Sequence, residues 1–228
     1  MGRLRNLELV FSSPTRLAAN VAEVPTWVVP FVIALVVTFT LSALTFDYQI
    51  QHQRAEYEKV MGDRGREEDL DSMFAKTPRR RVLGGVFAVA ASAVGILVAS
   101  AVLNGVASVA GGKIGFRRMF ALYAHLSLIG VLGQLIRVPL IFAKGSADVR
   151  TSLAAFAPSL SLTSPLGVFL NMVDLFAVWM LIALTIGYDV LGHMGVRKSA
   201  AIVFGLWGAL IAIFVGLTYL RMVATGMS

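Results

Sequence analysis

Residues 27–46 read WVVPFVIALVVTFTLSALTF, twenty positions without a charged side chain. About 20 apolar residues are what an α-helix needs to cross the hydrocarbon core of a bilayer. Four further stretches of that kind follow, Val82 to Leu103, Met119 to Ala143, Leu166 to Val190 and Ala200 to Leu220. None alternates between two faces as barrel strands do, and lipid offers backbone groups no hydrogen bonds, so each is predicted as a helix. The fold class expected is an all-α integral membrane protein with five transmembrane helices.

Composition agrees, with 57% hydrophobic and 14% charged residues and a mean hydropathy of +0.77. A soluble domain would have to hide too much apolar surface. The net charge of +7 sits beside span ends and not in a basic stripe with interleaved aromatics, which argues against nucleic acid. The absence of cysteine removes thiolate chemistry, disulfides and cysteine metal sites. Arg3 and Arg5 are separated from the first apolar run by a mixed polar segment, unlike a signal peptide, so span one is expected to be retained. Asn6 also breaks the myristoylation pattern after Met-Gly.

Residues 1–26 carry Leu4, Leu7, Phe11, Leu17, Val21 and Val24 at helical spacing with Arg3, Arg5, Glu8, Arg16, Asn20 and Glu23 between them. This is an amphipathic segment expected at the membrane interface. Pro14 should divide it, with Ser13 as N-cap and Pro14 opening a second short helix. Residues 27–221 then form a single five-span membrane domain, and 222–228 a short tail. Within the domain, 47–81 is a polar loop with eight basic and eight acidic residues, expected as two solvated helices over 48–61 and 66–75, broken around Gly62 and Gly65.

Charge gives an ambiguous orientation. With the N-terminus inside, inner segments hold eight Lys and Arg residues and outer segments eleven; without the 47–81 loop the ratio becomes eight to three in favour of that orientation.

Three segments stand out together: Phe11-Ser12-Ser13-Pro14 with Val24-Pro25-Thr26-Trp27 and Pro30, Gly111-Gly112 with Phe116, and Asp174-Leu175-Phe176 with Trp179, Gly187 and the basic turn Arg197-Lys198. In order and spacing they resemble the Yip family, membrane proteins named for interaction with Ypt/Rab GTPases, in its compact prokaryotic branch. The chain departs from the family where a proline is common in the first half of the third span, here occupied by His125 to Ile129. The long cytosolic N-terminal extension of eukaryotic members is not expected here. The resemblance implies five spans, a cytosolic N-terminus and an external C-terminus, and it implies no catalytic residues.

Gly112-Lys113 is not a phosphate loop, because Ala107 and Ile114 break the pattern on either side. Lys113, Arg117 and Arg118 are instead candidate headgroup contacts. No hydrolase motif or metal constellation is present, so no enzyme activity, cofactor or metal is expected. Ionisable groups within spans are costly and mark structure or function. Arg137 and Asp174 lie six and eight residues from the near ends of spans three and four, roughly 9 and 12 Å deep at 1.5 Å per residue. An Arg–Asp pair would mask both charges. With Asn171 and His125 they make up a candidate intramembrane polar network, His125 being placed to meet Tyr188 or Asp189. Small residues at helical spacing, Ala88, Ser92, Gly95 and Ala99 in span two and Gly208, Ala212 and Gly216 in span five, predict close helix contacts.

These features read as a non-catalytic membrane-organising or partner-scaffolding protein of a bacterial inner membrane. Expected partners are the lipid bilayer and membrane or cytosolic proteins; a homo-oligomer through span five is the alternative to internal packing of its small residues. The alternative is a small solute or ion transporter or channel with its polar site at Arg137, Asn171 and Asp174.

Overall fold

The computed structural model describes residues 2–61, 67–161 and 163–224. The expected break around Gly62 and Gly65 lies outside them. Nine α-helices are present among the described residues: α1 (Gly2–Ser12), α2 (Pro14–Glu23), α3 (Val28–Met61), α4 (Glu67–Met73), α5 (Pro78–Val109), α6 (Phe116–Lys144), α7 (Pro165–Met172), α8 (Leu175–Gly192) and α9 (Val196–Ala224). Five of them, α3, α5, α6, α8 and α9, are long and apolar enough to cross a membrane. The chain divides into two compact units, one of Met1–Phe31, Ile96–Gly130 and Arg150–Ser228, the other of Val32–Gly95 and Val131–Val149.

Within the first unit, α1 packs on α2, α2 on α8, and both α7 and α8 on α9. Pro14 opens α2 with Ser13 at the N-cap as predicted, although the Ser13 side chain makes no capping bond. The apolar face of α2, Leu17, Ala18 and Val21, is fully buried rather than laid against headgroups, because α8 covers it. Fully burying a Leu or Val relative to water stabilises by about 1.5–3 kcal/mol, enough to hold so short a helix in place. Phe11 adds an edge-on contact to Trp179 at 6.0 Å. The Asn20 amide donates to Asn6 Oδ1 at 2.8 Å, tying α1 to α2 through a buried asparagine that the amphipathic pattern does not reveal.

The ends of the spans follow from local chemistry. Gly111 takes φ 89°, its amide and that of Gly112 donate to Ser108 O and Ala107 O, and the last carbonyls of α5 are thereby satisfied in a left-handed turn that favours glycine. Lys198 donates its ammonium to Ala110 O at the same end. At the end of α8 the left-handed position falls to His193, φ 51°, whose amide donates to Asp189 O at 2.7 Å. A side chain there is strained, so His193→Gly is expected to raise stability by about 0.5–1 kcal/mol after glycine's own entropy cost. Thermal unfolding in detergent measures this.

In the second unit the polar region differs from expectation. Residues 48–61 do not form a helix of their own; they continue α3 without interruption, since no Gly or Pro follows the apolar run before Met61. Successive bonds support the extension, Gln49 to Thr45 at 2.7 Å and Arg54 to Glu58 at 2.7 Å. Arg54 also bridges to Asp71 of α4 at 2.7 Å, and Tyr57 and Phe74 approach to 5.8 Å between ring centroids. Arg79, Arg80 and Arg81 belong to the first turn of α5, where Thr77 Oγ1 accepts from the Arg80 amide. Arg81 meets Asp47 at 2.7 Å, both exposed; such pairs are worth about 0–1 kcal/mol.

The glycines of the small-residue stripes do not mark helix contacts. A Cβ added at Gly95, Gly208 or Gly216 meets nothing within 4 Å. Close approach occurs at Gly187, where a Cβ would lie 2.8 Å from the Leu122 methyls of α6. A stripe of small residues lets helices approach but does not compel them to, and here the outer face of α9 carries it.

Candidate functional site

The sequence-nominated residues fall in three places. Arg137 is half-buried in the second unit, on α6. Asn171 and Asp174 belong to the first unit at the junction of α7 and α8. His125, Lys113, Arg117 and Arg118 lie in or beside the N-terminal half of α6, also in the first unit.

At the α7–α8 junction the predicted continuous span Leu166 to Val190 is broken, and the membrane-length helix begins only at Leu175. Asp174 is extended, φ −100° and ψ 145°, and acts as N-cap. Its Oδ1 accepts from the Phe176 amide at 2.9 Å and the Ala177 amide at 3.3 Å. A carboxylate at this position satisfies amides that the helix leaves open and meets the positive end of the helix dipole. Asp174 therefore starts a span rather than lying eight residues inside one. The signal was present, an Asp directly before an uninterrupted apolar run.

A strap from the preceding loop completes this junction. Thr151 donates its hydroxyl to Asp174 Oδ2, Ser152 donates to Asn171 Oδ1 at 3.3 Å, and the Leu153 amide donates to Val173 O at 3.0 Å. The Arg150 guanidinium gathers the carbonyls of Ala154, Ala157 and Leu160 at 3.4, 3.0 and 3.2 Å. That carbonyl set includes the 3-10 turn Leu153–Phe156. Arg150, Thr151 and Ser152 read in sequence as ordinary connection, because their partners stand up to 23 residues away.

The other cluster surrounds a cavity of about 240 Å³ lined by residues 24–27 between α2 and α3 and residues 28–30 at the start of α3, with Arg117 and His125 from α6. Trp27 is fixed there by rings of Phe31 and Phe120, with centroids at 6.0 and 5.2 Å, on a small core of Ile96, Phe120 and Ala124. His125 is 1% exposed and its Nδ1 lies 2.8 Å from Ala121 O. A carbonyl only accepts, so Nδ1 carries the proton and Nε2 of the neutral ring is an acceptor. The Tyr188 hydroxyl proton, expected as a partner for this ring, goes to Leu103 O at 2.8 Å. Arg117, Arg118 and Lys113 are exposed.

The same end of the unit brings the α8–α9 turn beside the α5–α6 loop. Lys198 reaches Ala110, and Met194 packs where a Cβ on Gly112 would be. Lys113, Arg117, Arg118, Arg197 and Lys198 thus gather at one end. Among the described residues no group of three or more His, Cys, Asp or Glu side chains is placed to hold a metal.

Comparison with curated proteins and with solved structures gives no match. The family model of the Yip1 domain matches residues 9–217. That span contains all five membrane-length helices but for the last turns of α9, together with α2, the capped α7–α8 junction and the cavity turn. The chain is a multi-pass membrane protein that belongs to the Yip family.

Proposed function

We propose that this protein organises membrane or partner proteins without catalysis, in a bacterial inner membrane, with the N-terminus cytosolic and the C-terminus external. The observation that carries the reading is the use made of Asp174. Its carboxylate accepts from two backbone amides and the Thr151 hydroxyl, as a structural cap does, whereas a transport pathway needs that group to exchange partners with a solute. The orientation is supported by the five Lys and Arg residues gathered at one end of the first unit, which the positive-inside tendency assigns to the cytosol.

Flux separates this reading from transport. Proteoliposomes holding the full chain are expected to pass potassium, protons and small organic anions no faster than empty vesicles, and Asp174→Asn should leave the traces unchanged. Flux that vanishes in Asp174→Asn supports the transporter instead. Site-specific crosslinking in native membranes should capture the same protein neighbours for the wild type and for Asp174→Asn. For orientation, a reporter active only outside the cytoplasm, fused after Ser228, is expected to be active; activity of a cytosol-only reporter at that position reverses it.

A further inference from the structure

The cavity between the α2–α3 turn and α6 has a composition that selects a ligand. Its lining is apolar on the side of Val24, Val28 and Val29, cationic at Arg117 and polar at His125, and no acidic side chain among the described residues lines it. Arg117 stands in the first turn of α6, exposed, while His125 is eight residues further along the helix, about 12 Å at 1.5 Å per residue. A cation beside the helix start and a buried acceptor two turns deeper call for a molecule with an anion at one end and a hydrogen-bond donor at the other. The guanidinium matches a phosphate in charge and fork geometry. His125 Nε2, left as an acceptor because Nδ1 is tied to Ala121 O, matches a hydroxyl.

The volume of about 240 Å³ lies below the range of about 300–1,000 Å³ typical of drug-sized ligands. That is room for a phosphate and a small polyol but not for a pair of long acyl chains as well, which would have to lie outside it. Lys113 and Arg118, exposed and near Arg117 in sequence, add positive potential around it. Glu23, exposed just before the turn, is the nearest acidic residue in sequence and is not part of the lining.

We propose that this cavity is a headgroup site for an anionic phospholipid of the phosphoglycerol class, with its phosphate on Arg117 and a glycerol hydroxyl donating to His125 Nε2. The shared chemistry, a phosphate ester bearing a free hydroxyl, also occurs in soluble molecules, so the test separates the two sources. Trp27 lines the cavity and reports on it once Trp179 and Trp207 are replaced by Phe.

Full-length protein in detergent is titrated with dihexanoyl phosphatidylglycerol, phosphatidylmethanol, phosphatidylcholine and free glycerol phosphate while Trp27 emission is followed. Phosphatidylglycerol is expected to bind at least tenfold more tightly than phosphatidylcholine, with phosphatidylmethanol, which keeps the charge and lacks the hydroxyl, in between. Arg117→Gln should abolish the preference for anionic lipid. His125→Phe should leave that preference and remove the distinction between phosphatidylglycerol and phosphatidylmethanol. Should the buried His125 variant fail to fold, the exposed Arg117 variant still decides the phosphate contact, and the wild-type phosphatidylmethanol comparison decides the hydroxyl. Equal binding of phosphatidylcholine and phosphatidylglycerol overturns the proposal, as does an unchanged preference in Arg117→Gln. Free glycerol phosphate binding as tightly as the lipid overturns the lipid assignment.

Discussion

Gly187→Leu is expected to give the largest loss of folded protein of any single change considered. A Cβ at 187 would stand 2.8 Å from both terminal methyls of Leu122, and Leu122 is fully buried, with no room to turn aside. Overpacking a closed contact costs typically about 1–3 kcal/mol and sometimes more. The isobutyl group extends the conflict beyond Cβ, so the upper part of that range is expected. Yield of monodisperse protein in detergent and its unfolding temperature are the measurements. Gly208→Leu is the internal control: a Cβ there meets nothing within 4 Å, so its yield and stability should match the wild type. Equal loss in both variants would place Gly208 against another helix and contradict the packing described for α9.

Asp174→Ala is expected to destabilise by about 2–3 kcal/mol. Loss of an Asp N-cap costs about 0.5–2 kcal/mol, and the Thr151 hydroxyl loses a bond to a charged acceptor. Asp174→Asn keeps an acceptor for the Phe176 and Ala177 amides and should recover most of the difference. Thr151→Val removes the strap contact and should cost less in the Asp174→Ala background than alone, because the two share one bond. The proposed pairing of Arg137 with Asp174 calls for a larger effect, since breaking a buried ion pair costs about 3–5 kcal/mol. A double-mutant cycle with Asp174→Asn and Arg137→Met measures that coupling. A reciprocal charge swap is the wrong test: an arginine at 174 has no acceptor for the α8 amides, so it loses the cap whatever its relation to position 137. Denaturation in mixed micelles reads both terms, and a cost for Asp174→Ala within error of zero refutes the cap.

Five membrane-length helices were legible in the sequence because the requirement that makes them is local. In lipid each backbone group must find its partner within its own helix, so length and apolarity of one segment suffice to identify a span. The punctuation was legible for the same reason: Pro14 opens α2 and Gly111 closes α5 through bonds to residues no more than five positions away. The capping role of Asp174 was written equally locally. It is masked because Leu166 to Val190 meets the length criterion as one run, and a charged residue within such a run reads as buried function.

Facing was not legible. In an almost wholly apolar helix the sides turned to lipid and to protein look alike, so spacing of small residues on α9 gave no true direction, and Gly187 was decided by Leu122 from another part of the chain. The strap of Thr151 and Ser152 onto α7–α8, and the convergence of residues 24–30 with Arg117 and His125, likewise exist only once distant segments pack together. The sequence by itself determined which segments enter the bilayer, since that is a transfer equilibrium of each segment alone. Only the tertiary structure decided which side chains meet, since that depends on the rotation and depth of every helix against its neighbours.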